Sequence, residues 1–493
     1  MTVPGTPDGA PVAAPRTAAG VAWTAAALVA HAGMALAVLA VHARWLEPDE
    51  VGAAALATSL VMVIQVASTA GLGPALVQRT ALSIHHERAA ALLLLLLGLG
   101  TTTALWWGSA PIAGLLGVPA ASPAIHVAAG AVLLRCLAVV PEARLRRALH
   151  FGRLAAFEFA ASVVLAAVAI VAALRGWGAQ ALPVAHLAQA AVHLGLLALA
   201  GGLVAPAWHR LGGPELLRFG GGHTVAQFLA QLAAHADNWV VGRLLGATAL
   251  SFYSRAFQLT LMPATLIGQV ADKVFFPAMA RLQDDRAALN RSFAEASGVV
   301  AMLALPAMAL CLLRADDIVL VLLGPRWAPT ADAIRVLAIA LLPRLSYKLC
   351  DALVRATGDV WAAAGWQAVY AMAILAFAAI GARQGVGGVA AGVTIAMYLK
   401  WALMLRLARR RVGLDLRLLV RRSIPAVGTT AAFVALTLLL PAGDSPLGRI
   451  AASSALAVAA LAASVRLHQQ GARRDRRAAI GGAPTPAIGE RIA

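Results

Sequence analysis

Apolar residues in this chain come neither in strict alternation nor in narrow helical stripes. They come in unbroken runs of about 20, the length a helix needs to cross some 30 Å of hydrocarbon. About fourteen such runs stand between charged or Pro/Gly-marked breaks. Their approximate bounds are 20–42, 51–73, 88–110, 122–140, 155–174, 180–203, 220–242, 250–273, 293–313, 330–350, 360–381, 386–407, 423–441 and 446–466. The seventh and eighth carry the most polar groups. No connecting segment exceeds roughly two dozen residues, too short for a soluble catalytic domain. The pattern predicts an all-α integral membrane protein. Ahead of the first run, residues 1–19 are rich in Pro, Gly, Ala and Thr and read as a disordered tail before a retained first helix.

Composition agrees. The 493 residues are 61% hydrophobic and only 13% charged, which excludes a water-coated globular surface. The 40 Lys+Arg against 22 Asp+Glu leave a net charge of +18. In a soluble protein this excess would suggest nucleic acid; here its distribution reads as membrane orientation, and no nucleic-acid partner is expected. With the N-terminus in the cytoplasm, roughly 29 basic residues fall in or beside inside segments and about 8 beside outside ones. Arg135, Arg335 and Lys400 lie within helices. Arg144, Arg146, Arg147 and Arg153 mark one inside junction, and Arg409 to Arg411 with Arg421 and Arg422 another. Glu47, Asp49, Glu50, Asp316 and Asp317 mark the outside. Both termini of this multi-pass protein are therefore expected in the cytoplasm, with residues 467–493 as a basic tail.

The chain also repeats itself. Leu115-Leu116-Gly117, Ala124-Ile125-His126-Val127 and Pro141 recur as Leu322-Leu323-Gly324, Ala333-Ile334-Arg335-Val336 and Pro343, roughly 200 residues on. Arg44-Trp45-Leu46 matches Arg243-Leu244-Leu245 at a similar offset. Six helices separate the copies, so both enter the membrane in the same direction, as in a parallel repeat. Two six-helix lobes, 20–203 and 220–407, are expected, with two extra helices over 423–466.

Several segments are more specific than composition. Gly71-Leu72-Gly73-Pro74-Ala75-Leu76-Val77-Gln78-Arg79 follows the second helix, and Val140-Pro141-Glu142 through Phe151-Gly152-Arg153-Leu154 joins the fourth to the fifth. Asp237-Asn238-Trp239-Val240-Val241-Gly242-Arg243-Leu244-Leu245-Gly246, Phe252-Tyr253-Ser254-Arg255-Ala256 and Phe276-Pro277-Ala278-Met279-Ala280-Arg281-Leu282-Gln283-Asp284-Asp285 complete the set. Together they resemble the bacterial polysaccharide and lipopolysaccharide biosynthesis flippases of the multidrug/oligosaccharidyl-lipid/polysaccharide (MOP) exporter superfamily. The resemblance implies two lobes around a central cavity that opens alternately to each side, with a polyprenyl-linked oligosaccharide as cargo. Scarce Lys and abundant Arg and Ala in the loops leave the particular glycan open.

A charge inside the membrane persists only where it meets a partner or a wet cavity. Asp237 precedes the tip of the seventh-to-eighth hairpin by about ten residues and Arg255 follows it by about eight, so antiparallel packing places them at similar depth. The pair reads either as a structural clip or as a charged group that senses cation or phosphate. Gln258 and Gln65 are candidates to line the same cavity, against plain interhelical packing. Arg79 and Arg281, at corresponding inner helix ends, are candidates for a phosphate entry site, against ordinary positive-inside anchoring. Arg335 and His126 read as residues that snorkel at outer helix starts. Trp106 and Trp107 read as an interfacial belt, and Glu158 as half-solvated.

Cys136, Cys311 and Cys350 lie in apolar runs and read as buried hydrophobes rather than as metal or redox groups. No metal ligand set, cofactor motif or catalytic triad signature is present, so the chain does not read as an enzyme. Three functions remain in play. The first is flipping of a polyprenyl (di)phosphate-linked oligosaccharide, with membrane lipids and glycan assembly machinery as surroundings. The second is cation-coupled drug export, and the third a non-transporting role in a cell-wall assembly complex. A membrane glycan polymerase would need the large outer loop this chain lacks.

Overall fold

The computed structural model describes residues 15–79, 82–208, 212–280, 285–356, 360–439 and 445–481, and these contain helices, turns and no strand. The helices are α1 (Pro15–Trp45), α2 (Pro48–Thr69), α3 (Leu72–Gln78), α4 (Ile84–Leu115), α5 (Ser122–Arg147), α6 (Phe151–Leu174) and α7 (Ala181–Leu199). They continue as α8 (Gly212–Ala280), α9 (Arg286–Leu322), α10 (Thr330–Ile339), α11 (Leu341–Ala356), α12 (Val360–Gly381), α13 (Gly385–Val412), α14 (Leu416–Leu439) and α15 (Pro446–Gly481). Local chemistry sets the ends. Pro48 opens α2 behind Glu47, whose backbone N–H donates to Glu50 Oε2 at 2.9 Å. Asp285 caps α9 by accepting from the N–H groups of Ala287 and Ala288, both at 3.0 Å.

The described residues of each apolar run are mainly helical, with three differences of detail, the first a break at Ala70–Gly71 that divides the second run between α2 and α3. The seventh and eighth runs form one helical segment, α8, broken at a single residue: Gly246, with φ 84° and ψ −177°, a conformation an L side chain rarely adopts. The chain folds back there, because the Tyr253 hydroxyl reaches Asp237 Oδ2 at 2.6 Å. The tenth run is split, with α10 ending at Ile339 and α11 starting at Leu341. The cause is Pro343, which has no N–H to give to the carbonyl four residues back.

Nine described stretches are long and apolar enough to cross a membrane, one of them covering α12 and α13 together. Neither α8 nor the α10–α11 pair is among them. Those segments carry His235, Asp237, Asn238, Arg243 and Arg255, and Arg335, Arg344 and Lys348. Their polarity is what the packing uses.

Helices α1, α2, α4, α5, α6 and α7 pack among themselves, as do α8 and α10 to α13. Helix α9 packs on α10 and α11 and carries the α14–α15 pair on its side. The first group meets the second chiefly where α2 lies along α8. At the end that carries Glu47 and Asp49, the contact is backbone against backbone. A Cβ on Gly52 would sit 1.9 Å from the Ala247 carbonyl oxygen, and one on Gly117 (φ +74°) 2.8 Å from that of Gly242. Trp327, fully buried, donates from Nε1 to Ala43 O at 2.7 Å, and Arg326 pairs with Glu47 at 3.1 Å. These contacts close the acidic end. At the opposite, basic end Arg144 pairs with Glu87 at 3.0 Å, and Arg147 donates to the Leu76 and Val77 carbonyls, each at 3.1 Å.

The repeated sequence adopts repeated turns. Gly117 and Gly324 both have positive φ, and each is followed by a one-turn 3₁₀ helix, Pro119–Ala121 and Pro325–Trp327. Gly178–Gln180 and Ala382–Gln384 form the second such pair, ahead of α7 and α13. Arg335 does not snorkel free: it pairs with Asp316 and donates to Asp332 Oδ1 at 2.7 Å, because both acids crowd the same helix start. His126 Nδ1 lies 3.0 Å from Ser109 Oγ, its ring edge-on to Trp106. Trp106, Trp107 and Glu158 are exposed. Cys136 and Cys350 are buried, whereas Cys311 is only half-buried.

Candidate functional site

A cavity of about 410 Å³ lies between α1, α2, α6 and α7 on one side and both arms of α8 on the other. It extends from Leu46 and Val51, next to the closed tips, to His31, Ser162 and Gln258 near mid-helix, a depth of roughly 20 Å at 1.5 Å per residue. Helix α1 bounds it because it packs mainly on α6 and hardly on α2. Its polar lining is His31 and His42 from α1, Thr58 and Ser59 from α2, Ser162 from α6, and His186 and Gln189 from α7. Helix α8 adds His235, Asn238, Ser254, Arg255 and Gln258. Among the described residues that line it there is no carboxylate.

Several of these polar groups are held from behind. His42 Nε2 donates to the Ala169 carbonyl at 3.1 Å, which leaves Nδ1 as an acceptor. His31 Nε2 lies 3.2 Å from Ser162 Oγ, and the ring stands edge-on to Phe159. Trp239 Nε1 donates to Ser59 Oγ at 3.1 Å and ties α8 to α2 at the cavity wall. Arg255 is 7% exposed; its Nη1 donates to Gln258 Oε1 at 3.0 Å, while its Nε has no protein partner. Asn238 Oδ1 is likewise without one. A guanidinium paired only with a neutral amide keeps its charge available to an anion.

The two halves of the hairpin do not meet as their depth suggested. Asp237 takes its hydrogen bond from Tyr253, not from Arg255. Residues two apart on a helix point about 200° apart, so once Tyr253 faces Asp237, Arg255 faces the other way. Asp237, 1% exposed, belongs to a separate cluster on the far side of α8. There Tyr253 is buried, and Arg344 lies within electrostatic reach of both and over the Phe257 ring at 4.6 Å. Lys400 completes that cluster, donating to Gln367 Oε1 at 3.0 Å between the rings of Tyr347 (3.9 Å) and Tyr370 (4.2 Å).

The pairing has a measurable consequence. Tyr253→Phe removes a hydrogen bond to a buried carboxyl, so it is expected to cost about 1.5–3 kcal/mol. A double-mutant cycle of Asp237→Asn with Tyr253→Phe, followed by unfolding in detergent, should then show strong coupling, and one of Asp237→Asn with Arg255→Gln little. The reverse order would restore the ion pair.

Of the other candidates, Gln258 lines the cavity beside Arg255. Gln65 does not: it faces α5, where Nε2 donates to Cys136 Sγ at 3.8 Å, so packing between helices accounts for it. Arg79 sits half-buried at the basic end behind α3, its carbonyl accepting from Arg147, and does not line the cavity. Arg281 lies outside the described residues. Sequence reasoning passed over the four histidines, since a single His in an apolar run usually belongs to a core. One signal was there: His31 and His42 lie about three turns apart and so share a face of α1. Arg344 was hidden in the same way.

The fold and cavity define a class first, a multi-pass helical membrane protein with a chamber between two groups of helices whose described lining carries an arginine and no carboxylate. The chain belongs to the polysaccharide biosynthesis protein family, whose model matches residues 41–332. It is 23% identical over 337 residues to the lipopolysaccharide biosynthesis protein WzxC of Escherichia coli (strain K12), covering 67% of this chain and 68% of that protein. It is 24% identical over 321 residues to the succinoglycan biosynthesis transport protein ExoT of Rhizobium meliloti (strain 1021), covering 65% of each. The alignments thus span about two thirds of these relatives. The fold matches the lipid II flippase MurJ in an inward closed conformation, with a TM-score of 0.75 at 11% identity over 91% of this chain and 98% of that one. It also matches an inward-facing multidrug resistance MATE family transporter of the MOP superfamily, with a TM-score of 0.65 at 18% identity over 77% of this chain and 94% of that one.

Proposed function

We propose that the protein is a flippase that moves a polyprenyl (di)phosphate-linked oligosaccharide from the inner to the outer leaflet for cell-surface polysaccharide synthesis. The observation that carries this reading is the cavity with Arg255 in its wall and, among the described residues that line it, no carboxylate. A (di)phosphate cannot cross hydrocarbon bare, because desolvating its charge costs far more than one hydrogen bond returns. A buried guanidinium, imidazoles and amides replace the lost water. A carrier of cationic drugs would need the opposite lining. The names of the matched relatives, lipopolysaccharide biosynthesis and succinoglycan transport among them, support the same cargo class.

In this reading the basic end faces the cytoplasm with both termini, in the bacterial inner membrane. The helix groups 20–203 and 220–407 act as two lobes that rock about the cavity, and 423–466 forms an accessory pair. With the acidic end closed by Gly52 on Ala247 and Trp327 on Ala43, release outward must part these tips. Arg79 receives the head group at the basic end and Arg255 holds it at depth; Arg281 is given the same entry role as Arg79 on its place in the sequence alone. Partners are the membrane lipids and the machinery that builds the glycan.

The test is reconstitution into proteoliposomes with a fluorescent polyprenyl diphosphate-linked glycan, scoring its arrival in the opposite leaflet. Protein-dependent transfer is expected. Its absence with folded protein across several such glycans would remove the reading.

A further inference from the structure

A second cleft, of about 230 Å³, lies at the acidic end. Helix ends and a turn line it: Asp49, Glu50 and Ala53 from the first turns of α2, the start of α5, and the turn 176–180 between α6 and α7. Val51, Ala54 and Thr58 line the main cavity instead, so α2 stands between the two spaces, one helix thickness of about 10 Å. Gly52, which closes that cavity against Ala247, lies on a third face of the same helix.

Trp177, 52% exposed, stands between Gly176 (φ +72°) and Gly178 (φ +54°), and this left-handed backbone sets the indole at the cleft. The turn rests on Glu50, whose Oε1 would meet a Cβ on Gly178 at 2.6 Å. Glu50 Oε2 accepts from the Glu47 N–H at 2.9 Å and Asp49 Oδ1 from the Glu50 N–H at 3.0 Å. No described residue donates to the other oxygen of either carboxylate, and none that lines the cleft is basic. Gln180 adds an exposed amide.

The fold does not require these side chains. The repeat sets Ala382–Gln384 against Gly178–Gln180, and Arg243-Leu244-Leu245 against Arg44-Trp45-Leu46. Counted from there, Gly381 stands where Trp177 does, and Thr248 and Ala249 where Asp49 and Glu50 do. The second copy thus forms its turn and its helix start with neither aromatic nor acid.

Two carboxylate oxygens that only accept, an amide that donates and accepts, and a flat apolar ring suit a ligand with hydroxyls on its rim and a C–H face. A pyranose is such a ligand. The volume lies below that of pockets for drug-sized molecules and fits a single ring. Two carboxylates with no base beside them repel a phosphate or a uronate. They are too few to cage a metal ion, which has no use for an indole.

Resting on the flippase reading above, we propose that this cleft receives one neutral sugar of the glycan as the chain leaves over the acidic end of α2. Trp177 stacks on the ring, and Asp49, Glu50 and Gln180 bind its hydroxyls. A single sugar held in the main cavity does not reach the cleft; a longer glycan does.

The experiment has two arms, both on the full chain. In proteoliposomes, a polyprenyl diphosphate-linked probe with a single neutral sugar is compared with one that carries a neutral pentasaccharide. Trp177→Ala and Asp49→Ala are each expected to slow the pentasaccharide probe about fivefold and to leave the single-sugar probe unchanged, and Trp177→Phe to keep most of the wild-type rate. In nanodiscs, saturation-transfer NMR with methyl pyranosides is expected to show a contact with wild type that Trp177→Ala loses. Equal slowing of both probes would overturn the proposal, since that marks damage to the α6–α7 turn; so would slowing of neither. Pyranoside contact without a length-dependent rate would make the cleft a site for free saccharide and refute its part in export. If Trp177→Ala does not fold, Asp49→Ala decides. Transfer of neither probe by wild type removes the flippase reading, and the sugar cleft then stands or falls on the pyranoside contact; transfer of both, with no contact and no length effect, keeps the flippase reading and removes the cleft.

Discussion

Arg255→Gln is expected to lower flipping by about 10- to 100-fold while the protein still folds. Arg255 is the one guanidinium among the described residues that line the main cavity, and its hydrogen bond goes to Gln258, an amide. A charge-assisted hydrogen bond to an anionic cargo is worth about 1.5–3 kcal/mol, which sets that range. Gln keeps much of the length and one donor group, so the helix is not left with a void. It also removes an embedded charge that has no acid partner, and the variant should unfold at the same or a higher temperature than wild type. Loss of transport without loss of stability is the signature of a cargo contact. Arg79→Gln, half-buried at the basic end and outside the cavity lining, should slow transfer by less than about fivefold, because a head group that pauses there on entry is still partly hydrated. Initial rates in proteoliposomes and thermal unfolding in detergent check both. A full rate in Arg255→Gln would move the phosphate site elsewhere.

Gly52→Val is expected to hold the acidic end open and to abolish net transport. The glycine lets α2 lie against the α8 tip so closely that a Cβ would meet the Ala247 carbonyl oxygen at 1.9 Å and its carbon at 2.6 Å. Both atoms are backbone, so no rotamer change relieves the contact and the two tips must separate. Overpacking of this kind costs about 1–3 kcal/mol, borne only by the state in which the tips touch. A bias of that size shifts a two-state equilibrium by about 5- to 150-fold toward the state open at this end. In a background without the native cysteines, a thiol placed at Thr58 on the cavity wall should be labelled by a membrane-impermeant reagent added outside only when Gly52→Val is present. Equal labelling in both backgrounds would show that this contact is not a closure.

The architecture was almost wholly legible along the chain, because in lipid each helix must satisfy its own backbone and advertise its length in apolar residues. The break between α10 and α11 was equally local, since Pro343 carries its own reason, although it passed unremarked as a mere repeat of Pro141. The hairpin at Gly246 shows where local reasoning stops. Depth along two antiparallel helices followed from counting residues, and it placed Asp237 opposite Arg255, whereas the residue that meets it is Tyr253, two positions earlier. Which of those side chains faced it depended on how each arm is rotated about its own axis.

That rotation is fixed by packing against neighbours, by Trp239 bonded to Ser59 on α2 and by Tyr253 buried toward Arg344 and Tyr370. It sends Asp237 to one side of α8 and Arg255 to the other, and it gathers His31, His42, His186 and His235 from three helices around one cavity. The sequence by itself determined the solvent, the helical runs, the basic and acidic clusters between them and the family, each written in residues near one another in the chain. Only the tertiary structure decided which polar groups share a chamber, because histidines up to some 200 residues apart carry no mark of a common destination until helices α1, α7 and α8 are packed.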